Sequence, residues 1–425
     1  MTSSRKSGIV LCLLVCASLL VGLLGGCAAP TPTASATSTP TPPPEKIKLT
    51  VMFAWPSDSF AAEEEKMVAA KFKDKYDITF KPVENPEQTI KTTISSGEPL
   101  DLAFYWSDSM KTFVDAGMAL DLTPYLDADG GAWKKTFLDG SLDTATIDGK
   151  IWAVPITPVY PMILANKDLL DQAGVTLSDR PSWDEFMAAC ATIKSKLGII
   201  PFGNSWPSWI HRNNLQSVWP TDDQLKQWSA GQISFNDPLV KKALDGVKEM
   251  YDKEYCYPGS GALTVTLDQV VSAFKTKKIA MMAEVNFLAA GVVKDAGFTN
   301  IQVLSLPHIG PSVHQMAGGA NGLMIPVNVK HPEASIEIAK YLTSVEVVQK
   351  RVDGGSPVAI KGVTSSDPAV IAYAKESGNG FGVNEILQLS PKLSEYLDQS
   401  MPANYIFDPA AALVDLEKLR VEAIG

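Results

Sequence analysis

The alternation of short apolar runs with amphipathic stretches from Ile47 to Trp106 constrains the fold more than any other feature. IKLTVMFAW (Ile47–Trp55) alternates in its first half and then turns apolar, as a partly or fully buried strand does. SFAAEEEKMVAAKFKDKY follows, with Phe60, Met67, Val68 and Phe72 near helical spacing and Glu63–Glu65 on a solvated face. DITFKPVE (Asp77–Glu84) reads as the next strand, a helix covers Glu87–Ser95, and LDLAFYW forms a third strand ending in aromatics. Strand, helix, strand, helix, strand is the order of a parallel sheet covered by helices. Ligands of such sheets gather at the carboxyl ends of the strands, where Trp55 and Trp106 fall. A second series opens with a strand near Tyr160–Ala165 and a helix at Ser182-Trp183-Asp184-Glu185. The span from about residue 46 to 425 is too long for one simple core, which predicts two domains.

The amino-terminal segment is of a different kind. Arg5 and Lys6 precede an apolar run from Gly8 to Leu24, and small residues lead to Cys27. The run is shorter than the roughly 20 residues of a membrane span and is followed by Pro-rich sequence rather than a charged stop, which predicts a cleaved export signal. Leu24-Gly25-Gly26-Cys27 resembles the bacterial lipoprotein box, in which the cysteine is acylated and becomes the new amino terminus. The alternative is an ordinary secretory signal in which Cys27 is incidental. Residues 28–45, rich in Pro and Thr, read as a tether in extended polyproline II at about 3.1 Å per residue. Loss of Arg5 and Lys6 leaves 35 basic against 47 acidic residues, a net charge of −12 that argues against nucleic acid or an anionic lipid surface as the main partner. Outside the leader only Cys190 and Cys256 remain, and the sequence leaves open whether they pair.

Six segments then carry a resemblance in order: SSGEPLDLAFYWSD, DGKIWAVPITPVYPMILANKDLLDQAGV, PSWDEF, SAGQISFNDPLVKKAL, AFKTKKIAMM and IPVNVKHPEASIEIAKYLTSVEVVQK. Together they resemble the extracellular solute-binding proteins of ABC importers, in the sugar-binding family that includes maltose-binding protein. The resemblance implies an α/β, two-lobed periplasmic-binding-protein-like fold with three hinge crossovers and a ligand cleft between the lobes. It places the crossovers at Ala153–Tyr160, Ala280–Asn286 and Gly318–Ile325. One lobe is then 46–154 plus 284–318, and the other 158–282 plus 322–425.

A sugar offers apolar C–H faces and a rim of hydroxyls, which aromatic rings and planar carboxylates or amides respectively bind. On that chemistry the candidates are Trp55 with Asp58, Trp106 with Asp108, and Tyr160 past the first crossover. In the second half Trp206 and Trp209 follow, one facing ligand and the other packing, then Glu284, Asn286 and Phe287. Asn321 and Tyr405 complete the set. For Trp55 and Trp106 the competing reading is a cap on a sheet end, and for Asp58 and Asp108 a helix cap. Four histidines without a helical H-x-x-x-H pair, and no nucleophile elbow, P-loop or G-x-G-x-x-G, give an enzyme little support and imply no metal or cofactor. The expectation is a monomeric, lipid-anchored receptor that delivers a sugar or oligosaccharide to membrane permease subunits. A polyol or glycerol phosphate is the alternative ligand, and a secreted carbohydrate-active enzyme the alternative class.

Overall fold

The structure is a computed structural model that describes residues 45–425 except 54–59, 84, 159–160, 286–291, 293–296, 298–299, 312–314, 317–319, 368–369, 372–374, 376–380, 383–385 and 387–388. Cys27, the tether, Trp55, Asp58, Tyr160, Asn286 and Phe287 lie outside the described residues. No helix among the described residues is long and apolar enough to cross a membrane.

The strands are β1 (Ile47–Phe53), β2 (Tyr76–Pro82), β3 (Leu102–Trp106), β4 (Thr146–Ile147), β5 (Lys150–Ile151), β6 (Val154–Pro158) and β7 (Pro161–Asn166). They continue with β8 (Ile200–Gly203), β9 (Ile279–Val285), β10 (Ile301–Ser305), β11 (Gln315–Met316), β12 (Ala320–Met324) and β13 (Phe381–Gly382). Two main sheets result, a five-stranded one ordered β2-β1-β3-β12-β6 and a four-stranded one ordered β10-β7-β9-β8, beside the two-stranded pairs β4-β5 and β11-β13. In the first, β1, β2 and β3 run parallel and β12 enters antiparallel between β3 and β6. Alternation sends successive side chains to opposite faces. Leu49 and Val51 of β1, with Leu102 and Phe104 of β3, join one core, while Met52, Ala103 and Tyr105 join the other. The second sheet divides in the same way, with Ile163 and Ala165 on one face and Met162 and Leu164 on the other. A separate, helical cluster surrounds Trp219, Trp228 and Tyr405.

Local signals explain the helices that support these sheets. Ser182 accepts from the Glu185 N–H while Glu185 accepts from the Ser182 N–H, a reciprocal cap that starts helix Trp183–Leu197. Thr266 and Gln269 repeat the device ahead of helix Leu267–Lys275. Helix Pro86–Ser96 opens on proline and ends at Gly97, whose φ of 74° lies in the left-handed region that glycine tolerates.

The sheets divide the chain differently from the boundaries expected above. The first passage between them comes after β6, which ends at Pro158, and before β7, which begins at Pro161. The other two are corrected. β9 does not leave the second sheet: it pairs with β7 on one side and β8 on the other, and β10 then adds beyond β7. Residues 301–305, assigned to the first lobe, therefore belong to the second. Conversely β12 and the chain through Val370, assigned to the second lobe, pack in the core of the first. Return to the second lobe comes between Val370 and Ile386. The two later passages run side by side, since β11 and β13 pair in parallel.

Candidate functional site

The carboxyl ends of β1, β2 and β3 point to one edge of the first sheet. There Trp106 of β3 pairs with Asn321 of β12, and Asn321 pairs with Thr157 of β6. One row thus joins a candidate aromatic, a candidate amide and the strand that leads into the first passage. The Asn321 side-chain oxygen is buried and accepts no hydrogen bond from the described residues. Asp108 begins two residues after Trp106, in a single helical turn at Ser107–Ser109. Below the row, Ser107 is fully buried; its hydroxyl lies 3.0 Å from that of Thr144 and accepts from the Ala320 N–H at 3.3 Å.

Beside Trp106 opens a pocket of about 680 Å³ lined by Asn85, Glu87, Gln88, Lys91 and Tyr105 among others. Sequence reasoning missed this wall; its one signal was the turn Asn85-Pro86 directly after the β2 run. Glu87 organises it. One oxygen accepts from Lys91 at 2.7 Å and Thr112 at 3.2 Å, and the other accepts from the Tyr105 hydroxyl at 3.1 Å. Burial pushes the Glu87 carboxyl up, but Lys91 and the two hydroxyl donors together hold it below the usual carboxylate range. A charged acceptor set beside an indole suits a hydroxyl-rich ligand.

In the second lobe β8 ends at Gly203, and the Asn204 side-chain oxygen accepts from the Trp206 N–H at 2.9 Å. That bond turns the chain into helix Pro207–Ser217 and presents Trp206, 44 % exposed, at its start. Trp206 and Trp209 stack with ring centroids 5.5 Å apart and planes within 14°. Trp206 is the exposed ring of the stacked pair and Trp209 the half-buried one. Glu284, near the carboxyl end of β9, is fully buried and in register with Met162 of β7, next to the first passage. β8 and β9 are parallel, so Glu284 and the tryptophan deck share one edge of the second sheet.

Tyr405 is a correction. Its ring is 1 % exposed within the helical cluster, and its hydroxyl donates to Asp245 at 2.8 Å. A side chain packed that way is core and is not offered to a ligand. Helix Pro207–Ser217 also buries an uncommon number of polar groups. His211 is fully enclosed with one ring nitrogen 2.9 Å from the Pro207 carbonyl, and burial lowers its pKa to about 4. Arg212 donates to Asp398 at 3.0 Å. No group of three or more His, Cys, Asp or Glu among the described residues could hold a metal ion.

Two sheets joined by three chain passages, each with polar and aromatic residues at strand ends, make the two-lobed architecture of a binding-protein fold. The profile of the bacterial extracellular solute-binding protein family matches residues 55–349, and the chain belongs to that family, whose members bind substrates for transporters without catalysis. It is 24 % identical over 262 residues to a putative binding protein of Brucella abortus, covering 60 % of this chain and 61 % of that one. It is 22 % identical over 291 residues to the multiple sugar-binding protein of Streptococcus mutans, covering 64 % and 66 %. The chain therefore spans about two thirds or less of the length of these relatives. Among solved structures, a chitin oligosaccharide binding protein superposes with a TM-score of 0.72 at 20 % identity, over 89 % of this chain and 99 % of that one.

Proposed function

We propose that the protein is the substrate-binding subunit of an ABC importer and captures a sugar or oligosaccharide outside the cell. The observation that carries the reading is the pairing of chemistries at the two sheet edges. Trp106 with Asn321 and the Glu87 wall stand on one lobe, and the Trp206–Trp209 deck with Glu284 on the other. Aromatic faces and ionised or amide acceptors are what a pyranose requires from its surroundings. The sugar-binding relative from Streptococcus mutans and the chitin oligosaccharide binding protein of the same fold support the ligand class.

A phosphorylated ligand would require an available cation. Arg212 is paired with Asp398 and Lys91 with Glu87, so each of these two cations already faces a carboxylate. Ligand held by both lobes favours a closed arrangement over an open one, with the three passages between the sheets as the hinge. The closed complex docks on permease subunits as a monomer, and acylated Cys27 with the tether 28–45 keeps it at the membrane. Trp55, Asp58, Asp108, Tyr160, Asn286 and Phe287 belong to the same proposed cleft.

A thermal-shift screen across mono-, di- and oligosaccharides, polyols and glycerol phosphates tests the proposal. A carbohydrate that binds only the folded protein raises the midpoint with concentration. A rise with a non-carbohydrate class alone would overturn the sugar assignment.

A further inference from the structure

The second lobe holds a pair of thiols that the proposed transport function does not use. Cys190 and Cys256 are buried and free, and both belong to the core cluster on one face of the second sheet. Their relative position follows from contacts around them. Cys256 forms a parallel bridge with Phe202 of β8, fixed by bonds from the Phe202 N–H to the Tyr255 carbonyl at 3.1 Å and from the Tyr257 N–H to the Phe202 carbonyl at 2.8 Å. Residues directly paired across a ladder project to the same side of the sheet. Phe202 projects toward helix Trp183–Leu197, because its ring meets Phe186 edge-on at 5.2 Å. Cys256 therefore projects toward that helix as well.

Phe186, Cys190 and Lys194 follow one another at four-residue spacing and share a helix face. Lys194, one turn beyond Cys190, donates to the Lys253 carbonyl at 2.8 Å and lies 5.8 Å above the Tyr255 ring. The helix face thus runs from Phe202 at one end to Lys253–Tyr255 at the other, with Cys190 between these contacts and in the same core cluster as Cys256. The thiols also feel one another: burial, and then the charge of Cys256, push the Cys190 thiol up.

We propose that Cys190 and Cys256 form a disulfide as the second lobe folds outside the cytoplasm, stapling helix Trp183–Leu197 to the segment that pairs with β8. The step is an exchange with an oxidised disulfide, either of a thiol oxidoreductase or of glutathione. A thiolate of the pair attacks that disulfide, the second thiolate displaces the mixed intermediate, and the two electrons and two protons leave on the oxidant, now a dithiol or two thiols. Timing follows from burial. The native interior holds both thiols protonated and out of reach, so exchange takes place before the helix docks on β8, and the finished bond is shielded from reductants. Phe202 lies two residues before Asn204, which holds the Trp206 turn, so the staple braces the loop that carries the tryptophan deck. Closure of the bond in cells rests on the extracellular reading, whereas closure in vitro does not.

The test uses the full chain, recovered from cells that export it and separately refolded from denaturant in a glutathione redox mixture. Thiols are alkylated before reduction and the peptides are mapped by mass. The expected result in both samples is a linked Cys190–Cys256 peptide, two hydrogens lighter than the sum of its parts. Native protein prepared reduced should react with oxidised glutathione at least about tenfold more slowly than unfolded chain. Cys190→Ala should lower the Tm of the oxidised protein by roughly 5 °C and leave that of the reduced protein within about 2 °C. Separate alkylated Cys190 and Cys256 peptides from the refolded chain would overturn the pairing. A bond in the refolded chain but free thiols in the exported chain would overturn closure in the cell.

Discussion

Removal of Glu64 perturbs the most enclosed charge among the described residues of the first lobe. The Arg351 guanidinium donates through Nε to one Glu64 oxygen at 2.5 Å and through a terminal nitrogen to the other at 2.6 Å. The two side chains are 3 % and 1 % exposed. The Phe60 ring lies 5.3 Å from the guanidinium, and the Thr157 hydroxyl is 3.5 Å from its remaining arm. The pair joins helices Ala61–Phe72 and Val345–Asp353 to β6, the strand that enters the first passage between lobes. Such a pair gains little over a hydrophobic pair of equal volume, but breaking it strands a charge in a medium that solvates it poorly. Glu64→Ala should therefore cost about 3–5 kcal/mol, whereas Glu64→Leu combined with Arg351→Met should stand within about 2 kcal/mol of the parent. Urea unfolding measures both, with an unchanged slope certifying that the midpoint shift is a stability change. A loss below about 1 kcal/mol for Glu64→Ala, or a double variant no more stable than the single one, would refute the reasoning.

Other outcomes follow from the same coordinates. His211 has its pKa lowered by burial to about 4 from an ordinary 6.5, so the unfolded chain binds the extra proton between those values. Stability should fall by up to about 1.4 kcal/mol per pH unit as pH drops through that window, and His211→Leu should flatten this part of a stability–pH profile. A Cβ at Gly322 would stand 2.6 Å from the Val154 carbonyl oxygen. Gly322→Ala should accordingly destabilise by about 1–3 kcal/mol in the same urea assay, because backbone cannot rotate aside. Trp206→Ala should weaken ligand binding roughly 10- to 100-fold by titration calorimetry if the deck covers a sugar face, and unchanged affinity would remove it from the site.

Much of the architecture was legible because local signals and tertiary structure agree. The alternating run at β1, the third strand ending in Trp106 and the Ser182–Glu185 cap each announce themselves within a few residues. What remained hidden is non-local. IQVLS at β10 and ANGLM at β12 are short apolar strands of the same kind, and nothing in their periodicity says which sheet will receive them. Their exchange moved two of the three passages. Tyr405 was misplaced for a related reason, since an aromatic beside polar residues reads alike whether its hydroxyl meets a ligand or Asp245. The Glu87 wall escaped notice because its polar residues resemble an ordinary solvated helix. The Glu64–Arg351 pair spans 287 positions, beyond any pattern visible along the chain.

Titration calorimetry with the carbohydrate selected by thermal shift, on the parent and on Trp106→Ala and Trp209→Ala, addresses the central claim most directly. The two residues stand on different lobes, Trp106 at the end of β3 and Trp209 in the first turn of helix Pro207–Ser217, which follows β8. A single ligand shared by both lobes predicts one saturable site per chain and a loss of about tenfold or more from each truncation. Full affinity in either variant, with its fold intact, would contradict a shared site.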